Sequence, residues 1–260
     1  MSEIGKNKTA EEFYDDLANE YHLIFADWRK SVRWHGQILD SLIRKEMGNA
    51  TFSVLDCTCG IGTQAIGLAL LGHTVLGSDL SSTAIARAKK EAGSFGVKVS
   101  FGTADLLHLD TQINGSFEVI ISCDNSLPHL LNISDLKSAV VNIRSKLKPG
   151  GMFLASIRDY DEILNKRPKA TLPQTFEDTD GRRIVFQTWD WLEDGINIIF
   201  HLFILRSISG NWKISEYTGQ YRALRRQELT QILSEAGFTD IRWLMPKDTG
   251  YYQPIVICRG

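Results

Sequence analysis

The sequence predicts an α/β protein: a doubly wound, mostly parallel sheet, with a helical segment before it and a small antiparallel β insertion late in the chain. Three observations carry that expectation. Short apolar strands alternate with amphipathic helices from about residue 52 to residue 157. A glycine-rich turn, Asp56-Cys-Thr-Cys-Gly-Ile-Gly62, joins the first strand to its helix. From residue 173 to 223 the pattern changes to longer strands separated by turn residues.

The elements follow in order. Residues 1–48 read as a helical segment. Thr9, with Glu12 three positions on, makes a capping box, and Phe13, Leu17 and Tyr21 share one face of a helix over 9–21. A second helix over 31–47 carries Trp34, Ile38, Leu42 and Ile43 on one face and stops at Gly48. The body, residues 49–172 and 224–260, should place strands at 52–56, 73–79, 97–101, 117–122 and 152–157. Helices at 64–71, 81–94 and 135–147 separate them. The insertion, residues 173–223, should hold strands at 183–191, 196–207 and 212–222, turning at Glu193-Asp-Gly195 and Ser209-Gly-Asn211. A helix over 226–236 and strands at 241–245 and 254–258 return the chain to the sheet.

Composition bounds the function. A 260-residue chain with 43% apolar and 23% charged residues suits one large globular domain. A net charge of -2 offers no field to nucleic acid or to an anionic membrane. The longest apolar run, residues 196–205, is too short to span a bilayer, and the N-terminus lacks the apolar stretch of a signal peptide. A cytoplasmic protein is expected. Cys57 and Cys59 are spaced C-x-C, no second pair completes a zinc site, and the six histidines form no H-E-x-x-H, so neither metal nor disulfide is expected.

The glycine turn lacks both the Gly-x-Gly-x-x-Gly spacing of dinucleotide folds and a Walker lysine. It does let a ligand approach the backbone, and Asp79, at the end of the second strand, stands where an acidic residue binds ribose hydroxyls. Val54-Leu-Asp-Cys-Thr-Cys-Gly-Ile-Gly62 resembles motif I of class I S-adenosylmethionine-dependent methyltransferases. Asp79, Thr103-Ala-Asp105, Ser122-Cys-Asp-Asn125 and Leu147-Lys-Pro-Gly-Gly151 follow in the family's order. The resemblance implies seven strands with the last antiparallel, and S-adenosyl-L-methionine as cofactor, leaving as S-adenosyl-L-homocysteine. In its terms Asp56 holds the methionine amine through the loop, Gly60 and Gly62 leave room, and Asp79 binds the ribose. Asp105 binds the adenine edge, with Leu106 on the ring. Cys57, Leu80, Ala104, Cys123 and His129 complete the cofactor contacts, and His129 or bulk water is the candidate to take the acceptor's proton. Asp105 has a second reading as an Asx turn residue.

The chain also resembles the glycine N-methyltransferase group, most closely the bacterial and archaeal glycine/sarcosine N-methyltransferases. That likeness rests on Asp27-Trp-Arg-Lys-Ser-Val-Arg-Trp-His35, Asp124-Asn-Ser-Leu-Pro-His129, Ile157-Arg-Asp-Tyr-Asp-Glu-Ile-Leu164, the β insertion and Asp248-Thr-Gly-Tyr-Tyr-Gln-Pro-Ile-Val256. It implies that Arg158 holds the carboxylate of an amino-acid acceptor, a task suited to the two parallel N–H donors of a guanidinium. It implies that Asn125 contacts the acceptor, and that Tyr14, Tyr21, Trp28 and Arg29 belong to a lid over the cofactor. Tyr221 and Tyr160 are candidates for the acceptor pocket. A surface ion pair of Arg158 with Asp159, Asp161 or Glu162 is the competing reading. The resemblance implies an early step of glycine betaine synthesis. Vertebrate members carry asparagine at Asp105 and Asp159, so their assembly and folate control do not transfer. Monomer and homo-oligomer both stay open.

Two other functions share the cofactor residues: methylation of another small molecule, which needs no carboxylate clamp, and a non-catalytic sensor of S-adenosylmethionine. Methylation of nucleic-acid bases does not fit. Asp124-Asn-Ser-Leu-Pro128 lacks the proline pair and aromatic platform of such enzymes, and the charge is wrong for a polyanion.

Overall fold

A computed structural model describes residues 8–179 and 181–260; residues 1–7 of the expected helical segment lie outside the described residues. The chain begins with α1 (Ala10–Leu17), a 3-10 turn at Tyr21–Ile24, and α2 (Trp28–Met47). The body follows as β1 (Ser53–Asp56), α3 (Thr63–Leu70), β2 (Thr74–Asp79), α4 (Ser82–Phe95) and β3 (Ser100–Thr103). After it come α5 (Leu109–Gln112), β4 (Phe117–Ser122), α6 (Ile133–Ser145), β5 (Leu147–Ser156) and α7 (Tyr160–Lys166). Four insertion strands, β6 (Gln174–Asp178), β7 (Gly181–Trp191), β8 (Asn197–Ile208) and β9 (Asn211–Arg222), precede α8 (Arg226–Glu235), β10 (Thr239–Leu244), α9 (Pro246–Thr249) and β11 (Ile255–Arg259).

One sheet has seven strands in the order β10-β11-β5-β4-β1-β2-β3, and a second has four in the order β6-β7-β8-β9. In the first sheet β11 runs antiparallel to both neighbours, β5 and β10, and the other pairings are parallel. The chain winds outward from β1 to β3 and then from β4 toward β11, so the order reverses between β1 and β4. A crevice opens there beyond the carboxyl ends of the strands.

Burial on both faces explains the near-continuous apolar strands. Val54 and Leu55 point to opposite faces, and neither is exposed. Leu55, Ile120 and Phe153 pack with Ile198, Phe200 and Tyr221 of the second sheet. Val54, Val119 and Leu154 pack with Leu39 and Ile43 of α2. Where α2 crosses α3, Gly36 and Gly67 bring the backbones together: a Cβ on Gly67 would stand 2.4 Å from the Val32 carbonyl oxygen.

Several boundaries differ from expectation. The first helix ends at Leu17, and Tyr21 sits in the 3-10 turn. β3 starts at Ser100 rather than at residue 97, because the parallel register sets Ser100 opposite Leu76 of β2. β6 was not expected; it is a short edge strand whose partner is β7. The turn Ser209-Gly210, with φ of 50° and 82°, closes the β8–β9 hairpin in left-handed backbone.

Candidate functional site

The β1–α3 loop is built around two carboxylates. Asp56 is 1% exposed and lies beneath the loop, where it accepts the backbone N–H groups of Thr58 and Ala65. Burial drives its carboxyl well above the usual range, and its Oδ2 has no partner. Asp79, at the end of β2, accepts from Gly60 N at 2.8 Å and from Ser81 N at 3.0 Å. Gly60 has φ of 51° and a Cβ there would meet nothing within 4 Å, so the loop leaves open space above it. Gly62, with φ of 94°, caps α3 in left-handed backbone and lies against Ile66. Its requirement is conformational.

A partly enclosed cleft lies at the crevice. It is lined by Cys57, Gly60, Asp79, Leu80, Ala104, Asp105, Leu106, Cys123 and His129 of the expected residues, with Tyr14 and Tyr21 on its N-terminal side. Asp105 uses Oδ1 to hold Leu107 N at 2.9 Å, so the Asx reading and the place on the cleft wall both apply. Burial pushes the Cys57 and Cys123 thiols well above their ordinary value, and all four cysteines are free and buried. Among the described residues no group of three or more His, Cys, Asp or Glu side chains is placed to hold a metal.

Four expected cofactor residues stand away from this cleft. Asp56 and Gly62 act on the loop from behind. Trp28 is buried, donates its indole N–H to Thr63 Oγ1 at 2.9 Å and packs edge-on against Phe95. Arg29 lies 4.0 Å over the Phe95 ring and bonds to Ser94. Both pin α2 to the body.

A second cleft adjoins the first, and Tyr14, Tyr21 and Asp124 line both. Arg158, just past β5, faces it. Its Nη1 donates to Gln187 Oε1 at 3.0 Å, and its guanidinium lies 5.2 Å from the Trp189 ring and 5.0 Å from the Tyr221 ring. The competing ion pair does not form. Asp159 and Asp161 bind Arg226, and Glu162 binds Lys166. Among the described residues no carboxylate pairs with Arg158, so two strands of the second sheet aim an uncompensated cation into the cleft.

Asn125 is 2% exposed and largely occupied. Its Nδ2 donates to the Tyr160 hydroxyl at 3.0 Å, and its Oδ1 accepts from Arg158 N at 3.1 Å. It fixes the backbone that presents Arg158, and Tyr160, fully buried, stands behind it. His129 accepts or donates at Nε2 with the Tyr14 hydroxyl at 2.9 Å, and its ring also meets the Gln220 carbonyl. Burial, then the charge of Arg158, pushes its pKa down to about 3, which makes it a neutral hydrogen-bonding group. Tyr221 stacks on Phe200 at 4.0 Å and meets His129 edge-on at 4.8 Å. This aromatic cluster joins α1, the loop after β4 and the second sheet around the two clefts.

The sequence reading passed over Asp124, Gln64, Gln187, Trp189 and Tyr252. Asp124 and Asn125 have φ of 59° and 69°, consecutive left-handed residues without glycine. Such strain concentrates at functional sites. Asp124-Asn125 was a visible signal for it, because these two residue types tolerate that backbone best.

The geometry fits S-adenosylmethionine: a carboxylate with spare lone pairs at the end of β2, an apolar slot by Leu106, and open space over Gly60. Residues 54–151 match the family described as "Methyltransferase domain". The glycine/sarcosine N-methyltransferase of Parasynechococcus marenigrum (strain WH8102) is 28% identical over 165 residues, 62% of this chain and 58% of that protein. The ubiquinone biosynthesis O-methyltransferase of Dechloromonas aromatica (strain RCB) is 33% identical over 119 residues, 46% of this chain and 47% of that protein. An S-adenosylmethionine-dependent methyltransferase of Clostridium acetobutylicum ATCC 824 shares the fold with a TM-score of 0.73 at 18% identity, covering 95% of this chain and 98% of that one. The chain spans 58%, 56% and 54% of the lengths of the first three curated relatives it matches. Domain match, strand order and cleft together identify residues 54–151 as a methyltransferase domain, carried on a sheet with the fold of S-adenosylmethionine-dependent methyltransferases.

Proposed function

We propose that the protein is an S-adenosylmethionine-dependent N-methyltransferase acting on the amine of glycine, sarcosine or both, as in an early step of glycine betaine synthesis. One observation carries the reading: Arg158, a cation that no carboxylate pairs with among the described residues, lines a cleft that adjoins the cofactor cleft. The sequence likeness to glycine/sarcosine N-methyltransferases supports it.

S-adenosylmethionine supplies an electrophilic methyl group when bound. The residues of this chain supply placement. Asp79 and the space over Gly60 seat the nucleoside end, and the Asp56-braced loop the amino-acid end. Arg158 takes the acceptor carboxylate through parallel N–H donors, held in aim by Gln187 and by the Trp189 and Tyr221 rings. Near-attack placement of that kind contributes roughly 7–11 kcal/mol in favourable cases. His129 and Tyr14 close the apolar wall, and residues 8–48 act as a lid that excludes water. The aromatic faces beside the cleft also suit a methylated ammonium product.

Methyl transfer from labelled S-adenosylmethionine to glycine, sarcosine and dimethylglycine, with ethanolamine as a control lacking the carboxylate, tests this. Turnover of glycine or sarcosine without turnover of ethanolamine is expected. Cofactor binding with no turnover of any amino acid would assign the cleft to another acceptor. The O-methyltransferase relative keeps a non-amino-acid acceptor as the second reading.

A further inference from the structure

We propose that Asp124 is a specificity-determining acceptor residue: its carboxylate binds the cationic nitrogen of the acceptor while Arg158 binds the carboxylate, so that the cleft selects a zwitterion. The inference rests on the amino-acid reading above and deepens it.

The geometry is that of an anion held in place but left uncompensated. The Asp124 side chain is 11% exposed. One oxygen accepts from the Tyr251 hydroxyl and the other from Gln64 Nε2 at 2.6 Å. Tyr252 also donates to it. All three donors are neutral. The nearest ionisable nitrogen, His35 Nδ1, stands 3.9 Å away, and burial lowers the pKa of that imidazole and keeps it uncharged. Among the described residues no lysine or arginine pairs with Asp124. Buried charges are ordinarily paired, because desolvation penalises a lone one by several kcal/mol.

Arg158 is the mirror case on the same cleft, a cation whose side-chain hydrogen-bond partner is the neutral Gln187 amide. Tyr252, which lines the same cleft as Arg158 and hydrogen-bonds to Asp124, is 51% exposed and stands at its mouth. An unpaired anion and an unpaired cation on one cavity wall are completed by a ligand carrying both charges. Asp124 also borders the cofactor cleft, which places it where the acceptor nitrogen must meet the methyl group. The bound ammonium must first give a proton to water; positive charge then returns to that nitrogen as the carbon–nitrogen bond forms and the sulfonium carbon–sulfur bond breaks, and a fixed carboxylate beside it stabilises the change.

The test is Asp124→Asn, a substitution that left-handed backbone accepts, with Asp124→Gly as the second variant. Glycine and acetate binding would be measured by calorimetry on protein saturated with S-adenosylhomocysteine, whose own affinity reports the fold. We expect glycine to weaken by roughly 30-fold, the loss typical of one buried charge partner, while acetate binds at least as tightly as before. Glycine affinity within threefold of wild type would overturn the assignment. So would equal weakening of glycine and acetate. Selective loss of S-adenosylmethionine over S-adenosylhomocysteine, with glycine unchanged, would move Asp124 to the sulfonium. Wild-type protein that binds neither glycine nor sarcosine would overturn the amino-acid reading itself.

Discussion

Arg158 and His129 show what the same burial does to two bases. The guanidinium keeps its charge, and its aim is set by Gln187 and two aromatic rings. Arg158→Lys retains the charge but loses the parallel donors, so kcat/KM for glycine should fall by roughly 10–100-fold, with Arg158→Ala lower still. Steady-state kinetics at saturating cofactor check this; equal activity of the lysine variant would remove the bidentate clamp. The imidazole gives up its charge. His129 titrates near 6.5 when unfolded and at about 3 when folded. The unfolded chain therefore takes up a proton first as pH falls, and the stability gained from a neutral His129 is present above pH ~6.5 and lost toward pH ~3, at about 1.4 kcal/mol per unit. Chemical denaturation from pH 7 to pH 4 should show a shallower acid limb for His129→Asn than for wild type. Parallel curves would mean that His129 is not held neutral.

At the scale of elements, α1 is the part most dependent on what it touches. It is eight residues long, too short to persist alone, and its stability comes from its cap and its seats. Thr9 and Glu12 close a capping box, Asp15 accepts from Ser81 Oγ at 2.5 Å, and Phe13 meets Phe200 edge-on at 5.1 Å. The next turn is tied to the second sheet: Tyr217 donates to Glu20 at 2.8 Å, and Arg206 pairs with the same carboxylate. Thr9→Ala should destabilise α1 by about 1 kcal/mol and weaken cofactor binding about fivefold. Hydrogen exchange of residues 9–17 is expected to slow when S-adenosylhomocysteine binds, and to slow less in the variant. Exchange in α1 that is indifferent to the cofactor would argue against a lid.

For the whole molecule, two helices of the layer on one face of the sheet meet at a contact that leaves no room for a side chain. The α2–α3 crossing depends on Gly36 and Gly67, and the Cβ of Gly67→Ala would meet backbone, which cannot step aside. A loss of at least 1–3 kcal/mol is expected, read as a lower denaturation midpoint with an unchanged m-value. Stability equal to wild type would mean that the helices separate at little cost. The crossing matters to function because α2 carries His35 toward Asp124, and α3 carries Gln64 to the same carboxylate.

The sequence by itself determined the parallel sheet, the glycine turn after β1 and the place of Arg158 at a strand end, because each is a local event. Apolar runs make buried strands, a glycine opens the turn above Asp56, and a strand end delivers Arg158. The tertiary structure alone decided what those residues face. Trp28 and Arg29 sit in the segment expected to cover the cofactor, yet helix packing sends them to Thr63 and Phe95. Arg158 neighbours three acids in sequence, yet Arg226 and Lys166 take them. The partners that aim it, Gln187 and Trp189, arrive from a strand about thirty residues later. Charge compensation is a property of distance in space, so the two charges of the second cleft, neither paired among the described residues, became visible only when the sheets and residues 8–48 were assembled around them.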